Sequence, residues 1–161
     1  MLEVGAGTGR NLSYLVGAVG PDGKVIAVDA SAGMLAQARG LVAHSAWSNV
    51  ELIEADAARL GLDQEVDAVL FSLSYSVLPE PAAALARAWE RMRPGAKLVV
   101  MDAGLPDNLL GRALGPLARL LVRLALGDPY SDPWEDLRRY GSPTTERFLL
   151  GLYYVTMLVK S

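Results

Sequence analysis

The sequence predicts an α/β fold, with a mostly parallel sheet and helices on both faces. Apolar runs of strand length alternate with segments of helical period from the first residue to about Met101, the pattern of strand–helix–strand units. A glycine-rich turn follows the first run directly. Two strand-like runs near the end, Thr144–Leu150 and Leu152–Val159, meet at Gly151 and read as a terminal antiparallel hairpin.

Met1–Val4 is the first strand, followed by the glycine turn and a helix from about Asn11 to Val19. Gly20-Pro-Asp-Gly23 is a turn signal. Lys24–Val28 is the second strand, ending at Asp29. Ser31 is placed to cap a helix to about His44, with Met34, Leu35, Ala38, Leu41 and Val42 at helical spacing. Asn49–Glu54 is the third strand and leads to Asp56. Val66–Phe71 is an apolar run suited to a strand buried on both faces. Pro81 opens a helix to about Met92, Arg93-Pro-Gly95 stops it, and Lys97–Met101 is the fifth strand.

The chain of 161 residues is one domain by length, and 52% hydrophobic against 20% charged content suits a compact core. A net charge of −3 gives no sign of nucleic-acid binding through bulk electrostatics. The absence of cysteine excludes disulfides, thiolate metal sites and cysteine nucleophiles, and the single histidine, His44, excludes a histidine-rich metal site. No metal is expected. No signal peptide is visible, and no uninterrupted apolar run reaches the roughly 18 residues of a membrane span. The expected location is the cytoplasm.

The chemistry concentrates in strand–turn junctions. Glu3-Val-Gly5-Ala-Gly7-Thr-Gly9 lets backbone approach a ligand closely, and Asp29, at the end of the next strand, can take both hydroxyls of a ribose. A dinucleotide fingerprint, G-x-G-x-x-G, needs glycine at position 10, where this chain has Arg10. Singly, each feature has a structural use: a glycine turn tightens a bend, Asp29 caps a helix, Asp56 ends a strand, and Met34 fits a core position. Together they occur in one order and phase.

That order resembles the class I S-adenosylmethionine (SAM)-dependent methyltransferases over nearly the whole chain. The resemblance implies a Rossmann-like class I methyltransferase sheet, mostly parallel with a C-terminal antiparallel hairpin and helices on both faces. It implies SAM as cofactor and S-adenosylhomocysteine as product. Glu3, Gly5, Ala6, Gly7 and Gly9 match the first motif, which holds the methionine part, the acidic residue supporting the turn or reaching the amino group. Asp29 matches the ribose-binding acid, for which charge-assisted hydrogen bonds suit a carboxylate. Ala30 follows it, and Met34 matches the apolar residue on adenine. Glu54-Ala-Asp56-Ala57 matches the segment whose aspartate accepts from the adenine amino group. Ser72 and Tyr75 lie in the fourth motif, beside the reacting methyl. Arg93-Pro-Gly-Ala96 matches an R-P-G-G turn, with Ala96 departing from the second glycine. Members usually carry at least one helix upstream of the first strand. The start inside a strand therefore implies a late start or a fragment.

The resemblance implies methyl transfer by in-line displacement to a small or lipophilic acceptor, at N, O or C. No general base is evident. Tyr75 is the best-placed polar side chain, as acceptor contact or as aromatic wall, and His44 falls at a helix end, where the dipole favours it. Ser72-Leu-Ser-Tyr-Ser-Val-Leu-Pro79 lacks an N-P-P-[YF] signature and resembles the small-molecule and lipid branch. Residues 105–142 read as a substrate-side insertion within the single domain 1–161. Inside it, Arg112, Arg119 and Arg123 share a helical face from Leu109 to Leu126. Such a helix either packs on the sheet or rests peripherally on an anionic membrane. Asp128–Glu135 reads as a loop over the site, whose aromatics wall a pocket, meet an amine through cation–π contact, or pin the loop. Two other readings are a non-catalytic SAM-binding or partner-binding domain and an NAD(P) oxidoreductase.

Overall fold

The computed structural model describes residues 1–103, 133–149 and 152–161. The strands are β1 (Leu2–Val4), β2 (Val25–Asp29), β3 (Val50–Glu54), β4 (Val66–Ser72), β5 (Met92–Ala103), β6 (Thr144–Phe148) and β7 (Tyr153–Val159). The helices are α1 (Leu12–Val19), α2 (Ala32–His44), α3 (Pro81–Glu90) and α4 (Pro133–Arg138). The strands form one sheet in the order β3-β2-β1-β4-β5-β7-β6. β1 to β5 pair in parallel, and β7 runs antiparallel to both β5 and β6. The expected class, including the closing hairpin, is the observed one.

Alternation along the central strands sends their side chains to two layers. Val25 and Ala27 face α1, where Leu12 and Leu15 are buried. Ile26, Val28, Val69 and Phe71 join the larger core with Leu85 of α3 and Leu137 of α4. Leu2 and Val4 enter that larger core as well. Glu3, between them, is turned by the strand period to the α1 face, although it too is fully buried.

Strand β1 starts the sheet at its centre, between β2 and β4, so the glycine turn emerges where the strand order reverses. A parallel sheet binds ligands at such a point, outside the carboxyl ends of its strands.

Two expectations are corrected. β5 begins at Met92 rather than Lys97, and α3 ends at Glu90. Met92 pairs with Val66, and the ladder resumes at Ala68–Lys97, so Arg93-Pro-Gly95 is a bulge within the strand. Gly95, at φ +82°, donates to the Lys160 carbonyl (2.7 Å), and Lys160 returns a bond to Ala96 (2.9 Å). The segment expected as a loop to Glu135 is helical from Pro133. Proline and the acidic pair Glu135 and Asp136 all suit a helix start. Trp134 pins this helix: its Nε1 donates to Thr145 Oγ1 (2.9 Å), and its ring lies 4.5 Å from that of Tyr154. The Asn108–Leu126 segment, Gly151 and the start of the 128–135 segment lie outside the described residues.

Candidate functional site

The turn after β1 is folded back onto the end of β2. The amides of Gly5 and Ala6 both donate to the Val28 carbonyl, at 2.8 and 3.0 Å. Gly5 has φ +74°, and an added Cβ would lie 2.4 Å from Ser74 Cβ, so side-chain-free backbone is required there. At Gly7 the reason differs. With φ +56°, an added Cβ would meet only Met34 Sδ, at 4.0 Å, so the bare backbone there is bounded by space and by one thioether.

Asp29 ties this turn to the next helix. Its Oδ2 accepts from the Gly7 amide and its Oδ1 from the Ser31 amide, both at 2.8 Å. Ser31 in turn caps α2, its Oγ accepting from Met34 N at 3.3 Å. A carboxylate has about four lone-pair sites, so Asp29 keeps acceptor capacity beyond these two bonds. Met34 is 45% exposed: its helical spacing suits a core position, yet it stands beside Gly7.

Glu3 lies beneath the turn, 0% exposed. Its Oε1 accepts from Asn11 Nδ2 at 2.7 Å, whereas Oε2 is buried with no hydrogen-bond partner among the described residues. Burial pushes its pKa above the ordinary carboxylate value; the Asn11 bond opposes that push, and the nearby charge of Asp29 adds to it.

The third strand delivers the next group. Ala55 N donates to the Asp29 carbonyl (3.1 Å), which brings Asp56 beside the end of β2. Asp56 caps a short helical turn through Ala58 N (3.0 Å) and forms an ion pair with Arg59, which also reaches Glu80 (3.2 Å). Ala57 is buried in the main core, while Ala30 is exposed.

On the other side of β1, the loop after β4 is stitched down at three points. Leu73, at φ +53°, donates to the Met101 carbonyl (2.8 Å) just beyond half-buried Ser72. Ser74 Oγ donates to the Val4 carbonyl (2.6 Å). Asp102, 2% exposed, accepts from Ser76 N (2.9 Å), Ser76 Oγ (3.0 Å) and Ala103 N (2.8 Å).

Tyr75, expected as an acceptor contact or an aromatic wall, is 0% exposed, sits edge-on to Phe71 at 5.4 Å, and donates its hydroxyl to Asp136 (2.9 Å). Burial foremost, with the Asp136 hydrogen bond and charge, raises its pKa far above the ordinary tyrosine value. Its hydroxyl thus ties the loop after β4 to α4. His44 is exposed in the last turn of α2, away from these contacts. Among the described residues no group of three or more His, Asp or Glu side chains is placed to hold a metal.

Asn11, Ser74, Ser76, Asp102 and Asp136 were not singled out from the sequence. Asp102 alone carried a readable signal. It follows the apolar run of β5 as Asp29 follows that of β2, a carboxylate at the carboxyl end of a parallel strand.

A glycine turn clamped by a strand-end carboxylate, at the centre of a 3-2-1-4-5-7-6 sheet with an antiparallel seventh strand, defines a Rossmann-like fold of the class I methyltransferase kind. The family profile described as "Methyltransferase domain" matches residues 1–95. The chain belongs to this family of SAM-dependent methyltransferases. It is 31% identical over 110 residues to a ubiquinone/menaquinone biosynthesis C-methyltransferase of Hahella chejuensis, covering 67% of this chain and 44% of the relative. Similarity to an arsenite methyltransferase of Halobacterium salinarum is 30% over 114 residues, covering 68% and 29%. A SAM-dependent methyltransferase of Aquifex aeolicus superposes with a TM-score of 0.70 at 25% identity, covering 97% of this chain and 78% of that one. The chain thus spans less than half the length of these curated relatives.

Proposed function

We propose that this protein transfers a methyl group from SAM to a small or lipophilic acceptor. One observation carries the reading above all: a bare glycine turn is hydrogen-bonded through Gly7 to the carboxylate of Asp29 at the centre of the sheet. The residues fit the cofactor. At Gly7 an added Cβ would meet open space but for the Met34 thioether, and the buried Glu3 Oε2 has no donor among the described residues.

In this reading Glu3, Gly5, Ala6, Gly7 and Gly9 hold the methionine end, and Asp29 takes the ribose diol with its remaining lone pairs. Ala30 and Met34 line the adenine, Asp56 with Ala57 accepts from its amino group, and Ser72 borders the reacting centre. When bound, SAM supplies an already activated methyl on its sulfonium. What remains for the protein is alignment and exclusion of water. The burial of Tyr75 supports an acceptor that needs orientation more than a base, such as an amine or an enolate-like carbon. The C-methyltransferase and arsenite methyltransferase relatives support a small-molecule acceptor. Among the described residues no helix is long and apolar enough to cross a membrane. The proposed location is the cytoplasm, with residues 109–126 either packed on the sheet or resting peripherally on an anionic membrane. The NAD(P) reading has no support from the family match.

Calorimetric titration with S-adenosylhomocysteine, with NAD and NADP as controls, tests the cofactor. Micromolar binding of the first with silence from the others is the expected result. Labelled methyl transfer to a panel of quinols, amines and arsenite then separates an enzyme from a non-catalytic SAM-binding domain.

A further inference from the structure

Asn11 occupies the N-cap position of α1, where asparagine is among the favoured residues because its side chain can bond the first free amides of the helix. It makes no such bond. The residue has helical backbone angles, φ −87° and ψ −14°, and its side chain leaves the helix uncapped. Its amide instead donates 2.7 Å to Glu3 Oε1, eight residues back in the sequence. Local stability is thereby exchanged for a contact with a carboxylate that is completely buried.

The consequence falls on the other oxygen. With Oε1 held by Asn11, the plane of the carboxyl group is set, and Oε2 is the buried acceptor that remains unpartnered. Glu3 and Asn11 bracket the glycine turn, one at its entry and the other at its exit. The charged group acting on Glu3 from the neighbouring strand is Asp29, whose charge repels it. The Asn11 donor is the contact that favours an ionised Glu3.

We propose that Asn11 is a positioning residue for the amino-acid end of the cofactor. It orients Glu3 so that Oε2 is presented to a ligand ammonium. This inference rests on the cofactor reading above and adds to it a residue outside the glycine turn.

The test compares S-adenosylhomocysteine, which has the amino-acid end, with 5′-methylthioadenosine, which lacks it. Both are titrated calorimetrically into the wild type, N11A, E3Q and the double variant. In N11A, the affinity for S-adenosylhomocysteine is expected to fall about tenfold, or roughly 1.4 kcal/mol, with that for methylthioadenosine unchanged. In the E3Q background, N11A is expected to leave the ratio of the two affinities as it is, because the coupling runs through Glu3. Equal loss of both ligands would make Asn11 a brace for the turn and overturn the proposal, as would no loss of either. If N11A does not fold, N11L is the second variant: it keeps the side-chain bulk and removes the donor, and the same selective loss is expected. Failure of the cofactor reading shows separately, as a wild type silent to both ligands, and that result overturns this inference too.

Discussion

Ser74 stands where a side chain on Gly5 would have to go. Its Cβ is 2.4 Å from the position of an added Gly5 Cβ, and the Ser74 hydroxyl is fastened to the Val4 carbonyl at 2.6 Å. The loop after β4 is therefore packed directly on the turn after β1, and neither can shift independently. Gly5→Ala should cost about 3 kcal/mol or more, combining a left-handed backbone with overlap against a fixed neighbour. Gly17, exposed within α1 with nothing within 4 Å of an added Cβ, is the control. Gly17→Ala should gain about 0.5–1 kcal/mol from the unfolded chain's lost freedom. Urea denaturation of both variants reads the contrast.

Glu3→Gln should separate stability from binding. Glu3 has a folded-state pKa raised above its ordinary 4.5, chiefly by burial. The folded state therefore binds the proton more tightly than the unfolded chain. The stability that this group contributes is full below about 4.5 and is lost as pH rises through the folded value. Replacing the carboxylate with a neutral amide should flatten that decline and make the variant at least as stable as wild type at pH 8. Affinity for S-adenosylhomocysteine should fall at the same time, a trade of function against stability. A variant less stable than wild type at pH 8 would count against this account.

Asp102 holds the same loop from the far side. It is nearly inaccessible and accepts from two backbone amides and the Ser76 hydroxyl. Asp102→Ala strands those donors and should destabilise the fold by about 2–4 kcal/mol. Asp102→Asn retains one carbonyl acceptor and should recover part of the loss. Thermal melts of the pair, with S-adenosylhomocysteine titration of whichever remains folded, check the order.

The sheet was legible because its signals are local. Apolar runs, the glycine spacing, and carboxylates at positions 29 and 56 can each be read within a few residues, and Ser31 advertises its helix in the same way. The departures involve long-range partners. The early start of β5 depends on Val66 and on Lys160, which closes the Arg93–Gly95 bulge from the other end of the chain. The α4 segment has fewer residues than a reliable helical period needs, and it is held through Trp134 and Leu137 by neighbours distant in sequence. Met34 has core-like spacing and an exposed side chain, because the strand-end turn beside it is bare of side chains. The Glu3–Asn11 bond has no local signature, because asparagine before a helix already has an ordinary explanation in capping.

Tyr75 joins the loop after β4 to α4. Its position just past β4 suits an acceptor site, but its hydroxyl is committed to Asp136, 61 residues along the chain. Removing that hydroxyl in Tyr75→Phe leaves the packing against Phe71 and takes a donor from Asp136, which retains Arg139 at 3.6 Å. The expected cost at pH 7 is about 1–2 kcal/mol. Because the folded-state pKa is raised above the ordinary tyrosine value, the stabilisation is complete below about pH 10 and is lost as pH climbs through the folded value. Tyr140 is shifted the same way, again mainly by burial, so the wild type alone cannot isolate the effect. The difference between wild type and Tyr75→Phe can. Urea midpoints should lie furthest apart at neutral pH and converge as the buffer is taken above pH 10. A gap that stays constant would assign the loss to packing instead of the hydrogen bond. If methyl transfer, measured at neutral pH in a folded Tyr75→Phe variant, keeps the same pH profile as wild type, the phenol is a strut. A missing ionisation in that profile would return it to the chemistry.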